Sequence, residues 1–92
     1  MQPNMTGYNS VINAYAQKGD VERAEQWFKR MEPANVQANV RSYNSIINAC
    51  ARKGDVEKAE QWFCWMEKAN VQPNVTSYNS VINACTPNRM LF

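Results

Sequence analysis

The 92-residue sequence contains no histidine, so the commonest general base and metal ligand near neutral pH is missing. Cysteine is scarce and odd in number. Cys50, Cys64 and Cys85 form no Cys-x-x-Cys pair, so neither a disulfide framework nor a zinc site is expected. The thiols read instead as small buried apolar residues in a reducing compartment. No run of 18 apolar residues occurs, so no membrane span and no membrane partner are expected. Met1–Tyr8 lacks the basic and apolar regions of a secretory signal, and no Arg- and Ser-rich transit peptide is seen. Charge of one sign is also lacking. Ten Lys and Arg against eight Asp and Glu leave a formal charge of +2, too little by itself to indicate nucleic acid. No nucleophile–base pair, Gly-rich phosphate loop or metal constellation is present, so neither catalysis nor a cofactor is expected. What remains has an ordinary globular composition, 45% hydrophobic and 20% charged. A chain this short buries a small core and needs a neighbour to secure it.

The neighbour is written into the sequence as repetition. Tyr8-Asn9-Ser10 recurs as Tyr43-Asn44-Ser45 and as Tyr78-Asn79-Ser80, a constant period of 35 residues. Residues 5–39 and 40–74 align without a gap, and 24 of the 35 positions are identical. Val75–Cys85 begins the unit again, matching Val40–Cys50 at 9 of 11 positions. Gln2-Pro3-Asn4 matches the unit's close, Gln72-Pro73-Asn74. The chain therefore divides into a tail of a preceding repeat (1–4), repeat 1 (5–39), repeat 2 (40–74), and a partial repeat 3 with a C-terminal tail (75–92).

Each unit predicts two helices. At about 100° per residue, Tyr43, Ile46, Ile47 and Cys50 share one stripe, the i, i+3, i+4, i+7 pattern of an amphipathic helix. Gly54 suits a left-handed C′ position. Asp55 follows as an N-cap, with Glu57 in the first turn where the helix dipole favours acid. Val56, Ala59, Trp62, Phe63 and Met66 form the second stripe. Asn70–Asn74, with Pro73, makes the linker. Repeat 1 copies this with Tyr8, Val11, Ile12 and Tyr15, then Gly19-Asp20, then Val21, Ala24, Trp27, Phe28 and Met31. Pro33 should end its second helix early. Two such helices cannot bury both stripes alone, but stacked units can. The expected fold is all-α: an α-solenoid of antiparallel helix pairs, about two and a half repeats long. The aromatic residues Trp27, Phe28, Trp62 and Phe63 are accounted for as core, with Trp65 at the edge of its stripe.

On the first helices a second pattern runs beside the apolar one. Asn9, Asn13 and Gln17 in repeat 1, Asn44, Asn48 and Arg52 in repeat 2, and Asn79 and Asn83 in repeat 3 lie at i, i+4, i+8 away from the stripe. Asparagine inside a helix costs roughly 0.5 kcal/mol relative to alanine. Its recurrence points to a ligand-facing ladder, a solvated face, or capping near the first turn. Lys18, Arg52 and Lys53 at the ends of the first helices are the candidate phosphate contacts. Lys29, Arg30, Lys58 and Lys68 interleave with Glu25, Glu32, Glu60 and Glu67 and read as solvated i,i+4 pairs.

The unit V-x-S-Y-N-S-V/I-I-N-A … K-G-D-V-E-x-A-E-Q-W-F-x-x-M-E … N-V-Q-P-N resembles the pentatricopeptide repeat (PPR), in its plain 35-residue class, from Gln2 to Cys85. The W-x-x-L-G signature of the related tetratricopeptide repeat is absent. The resemblance implies binding of single-stranded RNA at about one base per repeat. It implies base selection by the residue after the Tyr together with the residue closing the repeat. Here these are Asn9 with Asn39, and Asn44 with Asn74. Asn79 opens a further pair, and Asn4 closes an earlier one. By the family's code an Asn/Asn pair resembles a pyrimidine reader. Arg41, two positions before Tyr43, offers a guanidinium plane for base stacking, while Thr6 and Thr76 offer less surface there. Asn13 and Asn48 would face the RNA one turn further along. Family resemblance further implies RNA processing in mitochondria or plastids. The chain is expected to be a slice of a longer array, weak or undetectable in RNA binding on its own, and either marginally stable or self-associating through the helix at Tyr78–Cys85. The alternative reading is a helical scaffold that binds a protein or peptide in its groove.

Overall fold

The computed structural model describes residues 5–85. Their order is α1 (Met5–Gln17), α2 (Val21–Met31), α3 (Val40–Lys53), α4 (Val56–Lys68) and α5 (Val75–Cys85), with no strand among the described residues. Residues 1–4, the tail of a preceding repeat with its Asn4, and residues 86–92, the C-terminal tail, lie outside the described residues.

The turns inside each hairpin follow from their residues. Gly19 and Gly54 take φ of 76° and 77°, the left-handed conformation that a Cβ opposes. Around them, Gly54 N–H donates to Ala51 O at 3.0 Å and Asp55 N–H to Cys50 O at 2.9 Å, which satisfies the carbonyls left open at the helix end. Gly19 and Asp20 repeat both bonds onto Ala16 and Tyr15. The next residue then starts the second helix. The Asp20 and Asp55 carboxylates accept the backbone N–H groups of Arg23 and Lys58, both at 3.2 Å. The second helices close onto Asn35 and Asn70, which hold φ of 63° and 64°. There Val36 and Val71 N–H reach back to Met31 and Met66 O. Repeat 1's second helix is two residues shorter at this end, stopping at Met31 where α4 runs on to Lys68. Proline at 33 cannot donate the hydrogen bond that Lys68 makes.

The helices form two unequal layers. α1 packs on α2 and α3, and α3 packs on α4 and α5, so the first helices make a continuous sheet of backbone contacts. Ala16, Ala24, Ala49 and Ala59 are fully buried in these contacts and let the helices approach closely. Ile12, Met31, Ile46, Ile47, Cys50 and Met66 fill the spaces between them with almost no exposure. The backbones of α2 and α4 stay apart, and long side chains bridge the gap. Phe28 meets both Tyr43 and Trp62 edge-on, with ring centroids 4.8 Å apart in each case. Stacking the pairs in a row gives an elongated body of 50 × 26 × 18 Å, with the first helices on one, inner, face. Trp62 is buried, while Trp27, Phe28 and Phe63 are half-buried at the layer's surface. Trp65 is 45% exposed. Cys50 is buried as expected, but Cys64 is exposed, because it falls on the outer side of α4 where Lys29 stands in α2.

One pairing expected within helices forms between them instead. Lys58 reaches across the repeat boundary and donates to both Glu25 carboxylate oxygens at 3.2 Å. The Trp62 indole N–H donates to the same carboxylate at 2.9 Å. Glu25 sits in the gap between α2 and α4, nearer to these donors than to any cation four residues along its own helix. Its hydrogen bond to Lys58, and secondarily its charge, raise that ammonium's pKa above its ordinary value, against the opposing effect of burial.

Candidate nucleic-acid interface

The first helices enclose a groove of about 830 Å³ along the inner face. Its walls are polar apart from Met5 at the start of α1. Thr6, Asn9, Ser10 and Asn13 come from α1, Arg41, Asn44, Ser45 and Asn48 from α3, and Thr76 and Ser80 from α5. Asn39 and Asn74, each just before the next first helix, complete the lining.

Asn39 is where local folding and the groove coincide. Its backbone is extended, at φ −120°, and its side-chain oxygen accepts the Ser42 N–H at 3.2 Å, while its own N–H donates to Ser42 Oγ at 3.2 Å. This reciprocal capping box starts α3. Asn74 and Ser77 build the same box at the start of α5, with both bonds at 3.1 Å. Each cap then receives an amide from one repeat upstream. Asn9 Nδ2 donates to Asn39 Oδ1 at 3.2 Å, and Asn44 Nδ2 donates to Asn74 Oδ1 at 3.1 Å. The two pairs singled out by sequence are thus joined directly, with matching geometry, in successive repeats.

Other sequence-selected residues fall differently. Asn13, Asn48 and Arg41 line the groove, with Asn13 and Arg41 exposed and Asn48 half-buried. Asn44 is only 9% exposed, because α5 and its cap close over it, so it is less open than its place off the apolar stripe suggests. Asn9 is half-buried. Asn79 is exposed and lies outside the groove lining, as do Lys18, Arg52 and Lys53 at the far end of the first helices. Capping near the first turn falls to Asn39 and Asn74 rather than to Asn9 or Asn44.

Sequence reasoning missed two serines. Ser42 and Ser77 are 0% exposed, and each hydroxyl donates to the amide oxygen of an asparagine one repeat upstream, Asn9 at 2.5 Å for Ser42 and Asn44 for Ser77. The signal was available: Asn-x-x-Ser before an apolar run is a capping-box spacing. Ser10, Ser45 and Ser80 also enter the groove wall unannounced. Among the described residues no His, Cys, Asp and Glu cluster could hold a metal ion, and no helix is long and apolar enough to cross a membrane.

Tandem helix pairs, stacked with a 35-residue period and presenting a polar ladder on their inner face, define a helical-repeat solenoid protein. The chain belongs to the PPR repeat family, which matches residues 3–52 and 38–86. Among solved structures it is similar to the pentatricopeptide repeat protein PPR10 from maize, with 31% identity over 90% of this chain and a TM-score of 0.81. PPR10 in complex with an 18-nt psaJ RNA element is similar at 25% identity over 89% of the chain, with a TM-score of 0.78. The chain spans only 12% of the length of these neighbours. No curated protein sequence matches it.

Proposed function

We propose that the chain binds single-stranded RNA along the inner groove, at about one base per repeat, as part of organellar RNA metabolism. The Asn9/Asn39 and Asn44/Asn74 pairs meet the base edges, with a preference for pyrimidines. The observation that carries this reading is the joined asparagine pair, built twice at the same spacing on the groove wall. An amide pair recurring at the repeat period offers successive bases equivalent partners, which is what a strand read one base at a time requires. Arg41 stands exposed beside the second pair and supplies a cation and a flat stacking surface. Lys18, Arg52 and Lys53 serve the phosphate backbone where it leaves the groove, and Asn13 and Asn48 contact the strand one turn beyond the readers. Asn79 opens a third reading position. A mitochondrial or plastid setting is supported by the family alone.

Two contacted bases supply little affinity, since stacking is worth about 1–3 kcal/mol per base. Weak binding is therefore expected of this chain alone. The test is a titration of the chain with oligo-U, oligo-C and oligo-A at several salt concentrations. Pyrimidine oligomers should bind, weaken steeply with salt, and lose affinity on Asn9→Ala or Asn44→Ala. A peptide-binding groove would tolerate those changes and show little salt dependence. Submicromolar affinity for any short RNA would contradict the two-base estimate.

The exposed face of α5 supports self-association as well. Val75, Tyr78 and Ile82 are 73%, 52% and 56% exposed. Their counterparts in repeat 2, Val40, Tyr43 and Ile47, are half-buried or buried. A second copy covering this face would remove the apolar surface from water.

A further inference from the structure

We propose that Ser42 and Ser77 are positioning residues for base reading: each buried hydroxyl locks the upstream asparagine so that the groove is offered amide N–H donors, and the two repeats take the acceptor edge of cytosine in preference to uracil. The inference rests on the RNA-reading function above and assigns it a polarity.

An amide's oxygen and nitrogen are alike in shape, so its orientation follows from the hydrogen bonds around it. Here the chain of bonds starts from a group that has no choice. The Ser42 backbone N–H can only donate, and it meets the Asn39 side chain at 3.2 Å, so that atom is oxygen. An oxygen can only accept, so the Asn9 atom facing it at 3.2 Å is Nδ2. The other Asn9 terminal atom is then Oδ1, and it lies 2.5 Å from Ser42 Oγ. The Asn39 N–H already donates to that hydroxyl at 3.2 Å, and the hydroxyl hydrogen goes to the nearer of its two acceptors, Asn9 Oδ1 rather than Asn39 Oδ1 at 3.1 Å. Repeat 2 runs through the same logic. Ser77 N–H fixes Asn74 Oδ1, Asn74 Oδ1 fixes Asn44 Nδ2, and the Ser77 hydroxyl donates to Asn44 Oδ1. The helix cap thus decides which way the reader points.

Because both serines are fully buried, the amide oxygens bonded to them face the protein. The hydrogen-bonded loops use one Nδ2 hydrogen of each reader and none of the Nδ2 hydrogens of Asn39 or Asn74. What each pair offers outward is N–H. Cytosine presents ring N3 and O2 as adjacent acceptors. Uracil places its N3–H donor between two carbonyls, so a donor-presenting side chain meets a donor at the centre of that edge.

The experiment uses the full 15N-labelled chain with oligo-C and oligo-U, comparing wild type, the S42A/S77A variant and the hydroxyl-retaining S42T/S77T variant, with helicity checked for each. Wild type should prefer oligo-C by about fivefold per repeat, the worth of one net hydrogen bond. S42A/S77A should bind both oligomers with the preference reduced to about twofold or less, and S42T/S77T should keep it. An unchanged preference in folded S42A/S77A, or equal binding of both oligomers by wild type, overturns the proposal. Failure of wild type to bind either pyrimidine oligomer even at low salt, where phosphate contacts are strongest, overturns the RNA reading instead. The positioning claim is then decided on the free protein, where the Asn9 and Asn44 side-chain amide hydrogens should exchange slowly and S42A/S77A should release them. No change in that exchange rejects the positioning role.

Discussion

Removing the Glu25 carboxylate should loosen the joint between repeats more than any other single surface change on the second helices. Glu25 holds two partners from the next repeat, the Trp62 indole at 2.9 Å and the Lys58 ammonium at 3.2 Å. The two contributions differ in size. The Glu25 side chain is 14% exposed and that of Lys58 is 41% exposed, so solvent screens the ion pair and leaves it about 0.5 kcal/mol. The indole bond has a charged acceptor and a mostly buried donor, and is worth about 1.5 kcal/mol. Glu25→Ala should therefore cost about 2 kcal/mol, or roughly 10 °C in Tm for a domain of this size. Glu25→Gln keeps an acceptor for the indole and should cost about half as much, while Lys58→Met should cost about 0.5 kcal/mol. Urea unfolding followed by circular dichroism gives these values, and a cycle with Trp62→Phe isolates the indole bond. The Trp62 Nε1–H resonance reports the same bond directly. A cost below about 0.5 kcal/mol for Glu25→Ala, or a Glu25–Trp62 coupling near zero, would refute the reasoning. The pH dependence has a definite sign. Glu25 holds Lys58 above its ordinary pKa of 10.5, so the pair stabilises fully below that value. The contribution is lost as pH rises through the higher folded value, where wild type and Lys58→Met should converge.

Burial, with a smaller push from Glu25, raises the Cys50 thiol to about 11, so at pH 8 only about one molecule in a thousand carries the thiolate there. Alkylation with peptide mapping should label exposed Cys64 promptly and Cys50 only on unfolding. Rapid labelling of Cys50 in the folded chain would contradict its place in the core. Gly54→Ala should cost about 1–2 kcal/mol, because φ is 77° while no atom lies within 4 Å of the added Cβ. The whole penalty is therefore backbone strain, and Gly54→Asn should recover part of it in the same urea assay. Ile82→Glu should shift sedimentation toward monomer at concentrations where wild type associates. Monomeric wild type across that range would remove the proposed self-contact.

The hairpins were legible because their determinants are local. Gly54 and Asp55 stop one helix and start the next within two residues, and Pro33 shortens α2 relative to α4. The stripe of Tyr43, Ile46, Ile47 and Cys50 is buried as its spacing requires. The contacts that escaped join different repeats. Lys58 to Glu25 spans 33 residues, Trp62 to Glu25 spans 37, and Asn9 to Asn39 spans 30. Each lies within five residues of the 35-residue period, so none shows on a single helical wheel. The burial of Asn44 escaped for the same reason: the cap of α5 closes over it, although nothing on its own helix does. The asparagine pairs themselves came from the family pattern, and Ser42 and Ser77 came only from the structure.

Asn39 and Asn74 carry two duties in one side-chain oxygen: each starts a helix and each receives an asparagine amide, from Asn9 or Asn44, one repeat upstream. Any replacement that altered base choice there would also have to begin the next helix. Asparagine, aspartate, serine and threonine can do so, whereas alanine or an aliphatic residue gives up about 1 kcal/mol of the following repeat. On the proposed RNA reading, a solenoid of this construction can therefore change its base choice at that position only within the vocabulary of helix caps. Of the two asparagines in each proposed reading pair, the closing one has the narrower freedom to evolve.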